Sequence, residues 1–263
     1  MTAREVAAII ESWAPLSIQE AWDNAGFCVG RPQTQVTGVL LCLDVTPAVI
    51  EEALLLGANL IISHHPLIFQ GVKQLCEQNE VMRMVAKAIK NDLVVYSAHT
   101  NADKVATGVS GLMAERLGLK ETEVLRVDMQ NATENQTGLG IVGTLCEPQE
   151  VRSFLQRVKE VFNLSCLRVG PLSKEVIRKV AVCGGSGSSL ISKAMEVSAD
   201  IFLSGDISYH HFFSTEGEMV IADMGHFESE IEIIRKFAQL LLEKNLTFAI
   251  SITKNQTNPI NYF

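Results

Sequence analysis

Two stretches of this chain, offset by 141 residues, repeat one order of strand, helix and strand, and that repeat limits the chain to an α/β architecture built twice. In the first stretch Val36 to Leu43 reads as a buried strand. Thr46 then caps a helix with Pro47 at its first position, Gly57 ends it, and Asn59 to Ser63 gives a second apolar strand. In the second, Val180 to Cys183, a turn Gly184-Gly185-Ser186-Gly187, a helix to Val197 and a strand Ile201 to Ser204 follow in the same order. Val39/Val180, Cys42/Cys183, Ile50/Ile191, Ala53/Ala194, Ala58/Ala199 and Ser63/Ser204 are identical, six of 27 positions, and the element boundaries keep the same register. A strand, helix, strand unit closes with its strands parallel. The expected fold is therefore two related three-layer α/β halves.

The rest of the chain fits around these units. Thr2 and Glu5 form a capping box for a helix that ends before Pro15. A helix over Glu80 to Lys90 and a strand Leu93 to Ser97 extend the first half. A last helix, Phe227 to Lys244, carries Ile231, Ile234, Phe237 and Leu241 on one face, before a strand Thr247 to Ile250. Asp128 to Gly138 is polar and aperiodic and reads as a linker. The expected halves are 1–127 with 221–263, carrying the metal-ligand candidates, and 128–220, facing them.

With 22 Lys+Arg against 30 Asp+Glu the net charge is 22 − 30 = −8, which argues against bulk nucleic-acid binding, a local basic patch apart. No apolar run reaches the roughly 18 to 20 residues that cross a bilayer, and Met1 to Pro15 reads as a charged amphipathic helix rather than a signal peptide. A cytoplasmic protein is expected. Its six cysteines are scattered without a C-x-x-C pair, the pattern of reduced, mostly buried thiols rather than of a thiolate metal site.

The residues that carry chemistry follow the strands, where α/β sheets place their sites. Ser63-His64-His65-Pro66 follows the strand NLII. One histidine at a strand end is ordinary packing, but two before a proline are not. Adjacent side chains of an extended segment point opposite ways and Pro66 keeps His65 extended, so the pair suits two ions, one imidazole each. His99-Thr100-Asn101-Ala102-Asp103 follows LVVYS. Asp103 either caps the next helix or, beside the histidines, is a carboxylate ligand. His99 then orients a ligand or shuttles a proton. In Gly225-His226-Phe227-Glu228-Ser229-Glu230, His226 and Glu230 stand four apart on one helix face. They are either metal ligands, a buried His/Glu pair, or a helix start with a dipole-stabilised first-turn glutamate.

His64, His65, Asp103, His226 and Glu230 make five nitrogen and oxygen donors without a thiolate, a set for zinc, manganese or iron(II). Five donors exceed the needs of one open four-coordinate ion, so two divalent ions per chain sharing a carboxylate are expected. Gly205-Asp206-Ile207-Ser208-Tyr209-His210-His211 occupies the position in the second repeat that matches His64-His65. Asp206, Tyr209 and His210 are candidates for proton transfer or substrate contact, while His211 is either a further candidate or a surface residue. Gly184 to Ser189 is a tight turn or a cradle of backbone N–H groups for phosphate, matching neither a P-loop nor G-x-G-x-x-G.

Trp22-Asp23-Asn24 with Gly26, Ser63-His64-His65-Pro66, His99-Thr100-Asn101 with Asp103, Gly205-Asp206 with Tyr209-His210, and Gly225-His226 with Ser229-Glu230 resemble, in order, the motifs of the Nif-three-like (YbgI-type) proteins, the GTP cyclohydrolase I type 2 family. The likeness covers nearly the whole chain. It implies a duplicated α/β fold, a dinuclear site made by His64, His65, Asp103, His226 and Glu230, and a ring-like homohexamer with the sites facing an internal cavity. Some bacterial members carry a domain inserted mid-chain, for which Asp128 to Gly138 is too short. The activity expected is metal-dependent hydrolysis, with His99, His210 and Asp206 as catalytic candidates. The family points to GTP as substrate, opened at C8 of the purine with release of formate. The alternative is a metal-handling or interaction protein without GTP turnover. Nucleic-acid association ranks last, since a chain of charge −8 advertises no basic lining.

Overall fold

Strands that are apolar along their whole length need cover on both faces, and the structure provides it twice. This computed structural model describes residues 1–72, 74–76, 79–128 and 137–263. The elements in chain order begin with α1 (Ala3–Trp13), β1 (Gly26–Val29), β2 (Gly38–Cys42), α2 (Pro47–Leu55), β3 (Leu60–Ser63), α3 (Glu80–Lys90), β4 (Val94–Ser97) and α4 (Thr100–Lys104). Next come α5 (Val109–Arg116), β5 (Lys120–Val127), β6 (Gly138–Glu150), α6 (Val151–Phe162), β7 (Arg168–Val169), β8 (Val176–Ser186) and α7 (Ile191–Glu196). The chain ends with β9 (Ile201–Gly205), β10 (Val220–Asp223), α8 (His226–Glu230), α9 (Ile233–Leu242) and β11 (Ala249–Ile252). Two compact units result, Met1–Ala102 with Ile233–Pro259 and Asp103–Glu232 with Ile260–Phe263.

In the first unit the sheet order is β1-β4-β3-β2-β11, with β4, β3, β2 and β11 parallel and β1 antiparallel at the edge. Successive strand residues face opposite ways. Leu40, Ile61 and Val95 therefore pack with Ile50 and Ala53 of α2 and Val85 and Ala88 of α3. Leu41, Ile62 and Tyr96, buried as well, face the other layer, where α9 lies on β2 and β11 and α1 packs on α9. The expected starts hold in detail. The Thr2/Glu5 box caps α1, and the Thr46 side chain accepts from the Val49 N–H with Pro47 in the first turn of α2.

The second unit has the order β5-β6-β8-β9-β10-β7, with β8, β9 and β10 parallel. Val180, Val182, Ile201 and Leu203 pack beneath Met113 of α5 and Phe154 and Val158 of α6. The alternating Ala181, Phe202 and Ile221 meet Ile191 and Ala194 of α7. The repeat read from sequence is a repeat of register. Val39, Leu40 and Leu41 pair with Leu60, Ile61 and Ile62, and Val180, Ala181 and Val182 pair with Ile201, Phe202 and Leu203. Each residue sits 141 positions from its counterpart, so each sheet carries its own copy of the same βαβ pattern.

Three expectations change. The last helix is not continuous: α8 ends at Glu230, α9 starts at Ile233, and the two belong to different units. Of the four residues expected on one face, Ile234, Phe237 and Leu241 are buried in α9, together with Ile233, while Ile231 falls in the break. The last strand runs Ala249–Ile252, two residues beyond the expected span. Most of the polar stretch 128–138 lies outside the described residues, but its flanks are paired strands, Val127 opposite Gly138, so it joins neighbours within one sheet. No helix among the described residues is long and apolar enough to cross a membrane.

Phe202 is fully buried, whereas Leu55 is 87% exposed. Phe202→Ala is expected to cost about 3–5 kcal/mol in urea unfolding, and Leu55→Ala no more than about 0.5 kcal/mol. Equal costs would contradict the assignment of this face to the core.

Candidate functional site

The first cluster forms where β3 and β4 run out. The strands pair up to Ser63 opposite Ser97, whose hydroxyls meet at 2.8 Å. Pairing then continues past the strand ends, with the His64 and His65 N–H groups donating to the carbonyls of Cys42 and Leu43 and the Ala98 N–H to that of Ser63. This backbone lattice sets three imidazoles side by side. Ring centroids lie 4.9 Å apart for His64 and His65, 5.4 Å for His64 and His99, and 5.5 Å for His65 and His99. One nitrogen from each of the three falls within 4.8 Å of the others, a group able to hold a metal ion.

Each ring is oriented from behind. His64 Nδ1 lies 2.9 Å from the Ala98 carbonyl oxygen, which can only accept, so Nδ1 carries the proton and the lone pair is on Nε2. His65 Nδ1 lies 2.7 Å from Asp44 Oδ1, and His99 Nδ1 lies 2.7 Å from Asp23 Oδ1. Asp44 is itself held by Thr257 Oγ1, which donates to Oδ2 at 3.3 Å. Asp23 also accepts from the backbone N–H and the hydroxyl of Thr100. Burial opposes ionisation of Asp23, but the bonds from His99 and Thr100 outweigh it and bring its pKa down to about 2. The carboxylate is thus charged at neutral pH and fixes the His99 tautomer.

The second cluster belongs to the other unit. His226 opens α8, and its Nδ1 lies 2.7 Å from Asp206 Oδ2 while its Nε2 lies 3.1 Å from Glu230 Oε2. Asp103 brings one oxygen within 4.8 Å of Glu230. Asp103 lies inside α4, and Gly108 stands at the N-cap of α5, so capping is not its task. Asp223, nearly buried, accepts from the N–H groups of Ile207 and Gly225 and pairs with Arg168 at 2.9 Å. It thereby joins the loop of Asp206 to the loop of His226. Cys183 is pushed up to about 12 by burial and then by the charges of Asp103 and Glu230, so it stays a thiol and offers no thiolate ligand.

The glycine run serves this cluster in an unexpected way. Gly184 to Ser186 continue β8 rather than turning, and a Cβ on Gly185 would stand 2.2 Å from Glu230 Oε1. The Gly185 N–H donates to Ser229 Oγ, whose hydroxyl donates to the His226 carbonyl. The small residues let strand backbone lie against the buried carboxylate; the expected turn is confined to Gly187–Leu190, and the N–H groups of Gly184, Gly185 and Gly187 donate to serine hydroxyls rather than forming a phosphate cradle. Among the other candidates, His210 and Tyr209 are exposed and touch each other at a ring distance of 5.4 Å, and Asp206 acts on His226. Half-buried His211 bonds Ser208. Sequence reasoning missed Asp44, Asp223 and Thr257. Asp44 had a signal, since it too follows a strand end.

The chain matches the family model described as Duf34/NIF3 (NGG1p interacting factor 3) over residues 1–259. A Clostridium perfringens protein named GTP cyclohydrolase 1 type 2 homolog is 33% identical over 267 residues, covering 100% of both chains. A Bacillus cereus protein related to NIF3 superposes with a TM-score of 0.91 at 25% identity, covering 100% of this chain and 99% of that one. Reduced HcgD from Methanocaldococcus jannaschii gives a TM-score of 0.80 at 29% identity, covering 97% and 98%.

Gly57 has a positive φ but open space around a Cβ, whereas Gly185 has both a positive φ and the Glu230 contact. Gly57→Ala is expected to cost about 1 kcal/mol and Gly185→Ala at least about 2 kcal/mol, read from urea unfolding. A Gly185→Ala protein as stable as Gly57→Ala would refute the close approach.

Proposed function

This chain belongs to the Duf34/NIF3 family, and from that premise we propose that it is a metal-dependent hydrolase of GTP or a related purine nucleotide. The proposed ligands are His64, His65, Asp103, His226 and Glu230, holding two divalent ions. One observation carries the reading. All three histidines of this set engage an oxygen acceptor through Nδ1: Ala98, Asp44 and Asp206 respectively. Metal-ligating histidines are oriented in this way, with the lone pair of Nε2 directed at the ion. Imidazole and carboxylate donors suit zinc, manganese or iron(II).

Bound ions would supply Lewis acidity and a water acidified toward neutral pH. The protein's own contribution is positional. Ionised Asp23 fixes Nδ1–H on His99, so that Nε2 is the atom that takes up or returns a proton. Asp206 sets the His226 ring. His210, exposed beside Tyr209, is assigned to substrate contact or proton transfer. The name of the Clostridium perfringens relative points to GTP as the substrate; in the proposed reaction one water adds at C8 and opens the imidazole ring to a formamide, and a second water cleaves that amide, so that formate leaves and the purine nitrogen keeps the proton. A homohexamer is part of the same proposal.

The test is metal content per chain, followed by GTP-dependent formate release on the same sample. About two ions, formate, and a hexameric sedimentation mass are expected, with at least one ion lost from a His226→Ala/Glu230→Ala protein. Two ions without formate would overturn hydrolysis of GTP and favour a metal-handling role. Unchanged metal in the double variant would overturn the ligand set.

A further inference from the structure

Two large aromatic side chains stand in solvent beside the first histidine cluster. Trp22 is 60% exposed and Phe69 54% exposed, and their rings touch with centroids 5.9 Å apart. Both also meet His99, at 6.1 Å and 6.2 Å, in near-perpendicular contacts. Neither sits on a loose loop. Asp23, next to Trp22, has a fully buried side chain and accepts from His99, from Thr100 and from the Asn24 N–H. The Asn24 side chain donates to the Ile68 carbonyl at 2.6 Å, which ties the Trp22 loop to the residue preceding Phe69. The Ala25 N–H donates to Gln19. Scattered apolar residues at a surface are ordinary. A pair of exposed aromatics, Trp22 beside the buried Asp23 anchor and Phe69 tied to the same loop through the Asn24–Ile68 bond, keeps its faces out of the core at a cost that packing does not repay.

We propose that Trp22 and Phe69 form a stacking platform for the purine base of a nucleotide ligand, at the rim of the His64/His65/His99 cluster. A π-face accepts a flat heterocycle by stacking, and a rigid platform loses little entropy in doing so. Ring contacts run from Trp22 through His99 to His64 and His65, so a base on Trp22 leaves the remainder of the nucleotide next to the imidazoles. A purely apolar partner would have no use for that adjacency; a molecule with a flat base and an anionic group does. The choice of a purine rests on the proposed function, but the platform does not require turnover.

The test uses the intact protein carrying Trp13→Phe, since Trp13 lies in α1 against Phe237, and follows Trp22 emission excited at the red edge. Guanosine 5′-monophosphate should quench that emission saturably, and ribose 5-phosphate should not. In calorimetry with the native Trp13, Trp22→Ala should weaken guanosine monophosphate binding by about 10-fold or more, the scale of base stacking. Trp22→Phe should keep it within about 3-fold. Far-UV circular dichroism checks that both variants fold. Equal binding by wild type and Trp22→Ala, equal binding of the two probes, or no binding overturns the platform. Trp22 emission already shielded from acrylamide does so too, since a second copy then covers it. Binding without formate release sinks the hydrolase and leaves the platform; formate release with an unchanged KM in Trp22→Ala does the reverse.

Discussion

The chemistry proposed here depends on one repeated interaction: an imidazole whose Nδ1 meets an oxygen set on a strand end or loop of its own unit. His64 takes the Ala98 carbonyl, His65 takes Asp44, His99 takes Asp23 and His226 takes Asp206. An unanchored imidazole would sample rotamers and both tautomers, and a metal would have to order it on binding. Here that ordering is done by the fold. Parallel pairing of β3 and β4, continued past Ser63 and Ser97, fixes where the rings start, and the oxygen acceptors fix which nitrogen carries the proton.

Keeping a buried carboxylate such as Asp23, or Asp223 behind the second cluster, charged is costly inside a protein, and the structure shows how that cost is met. Asp23 is buried against desolvation by donors from Thr100, Asn24 and His99. Asp223 is nearly buried but holds Arg168 and two backbone N–H groups. Removing one partner from such a set leaves a buried charge uncompensated, which is the expensive outcome. The carboxylates are therefore better understood as framework for the histidines than as spare ligands.

Much of this was legible from sequence because strand ends and site residues coincide in α/β folds. The βαβ repeat predicted the parallel strand pairs, and the strand-end rule singled out His64, His65, His99 and His226 without coordinates. The same rule reaches Asp44, which a search limited to metal ligands passes over. Thr257 was out of reach: it meets Asp44 across 213 residues, and no local pattern encodes that contact. Gly185 misled because a glycine run suggests a turn or a phosphate loop, while the need for it is the Glu230 carboxylate against its Cα. The break between Glu230 and Ile233 was hidden for a different reason, since helical periodicity does not register a change of unit.

The central claim is that these histidines hold metal through Nε2. Anomalous diffraction from crystals grown with manganese or zinc tests it directly. The account predicts two peaks per chain, each with at least one Nε2 of His64, His65 or His226 among its ligands. Ligation through Nδ1, or no peak at these residues under saturating metal, would contradict it.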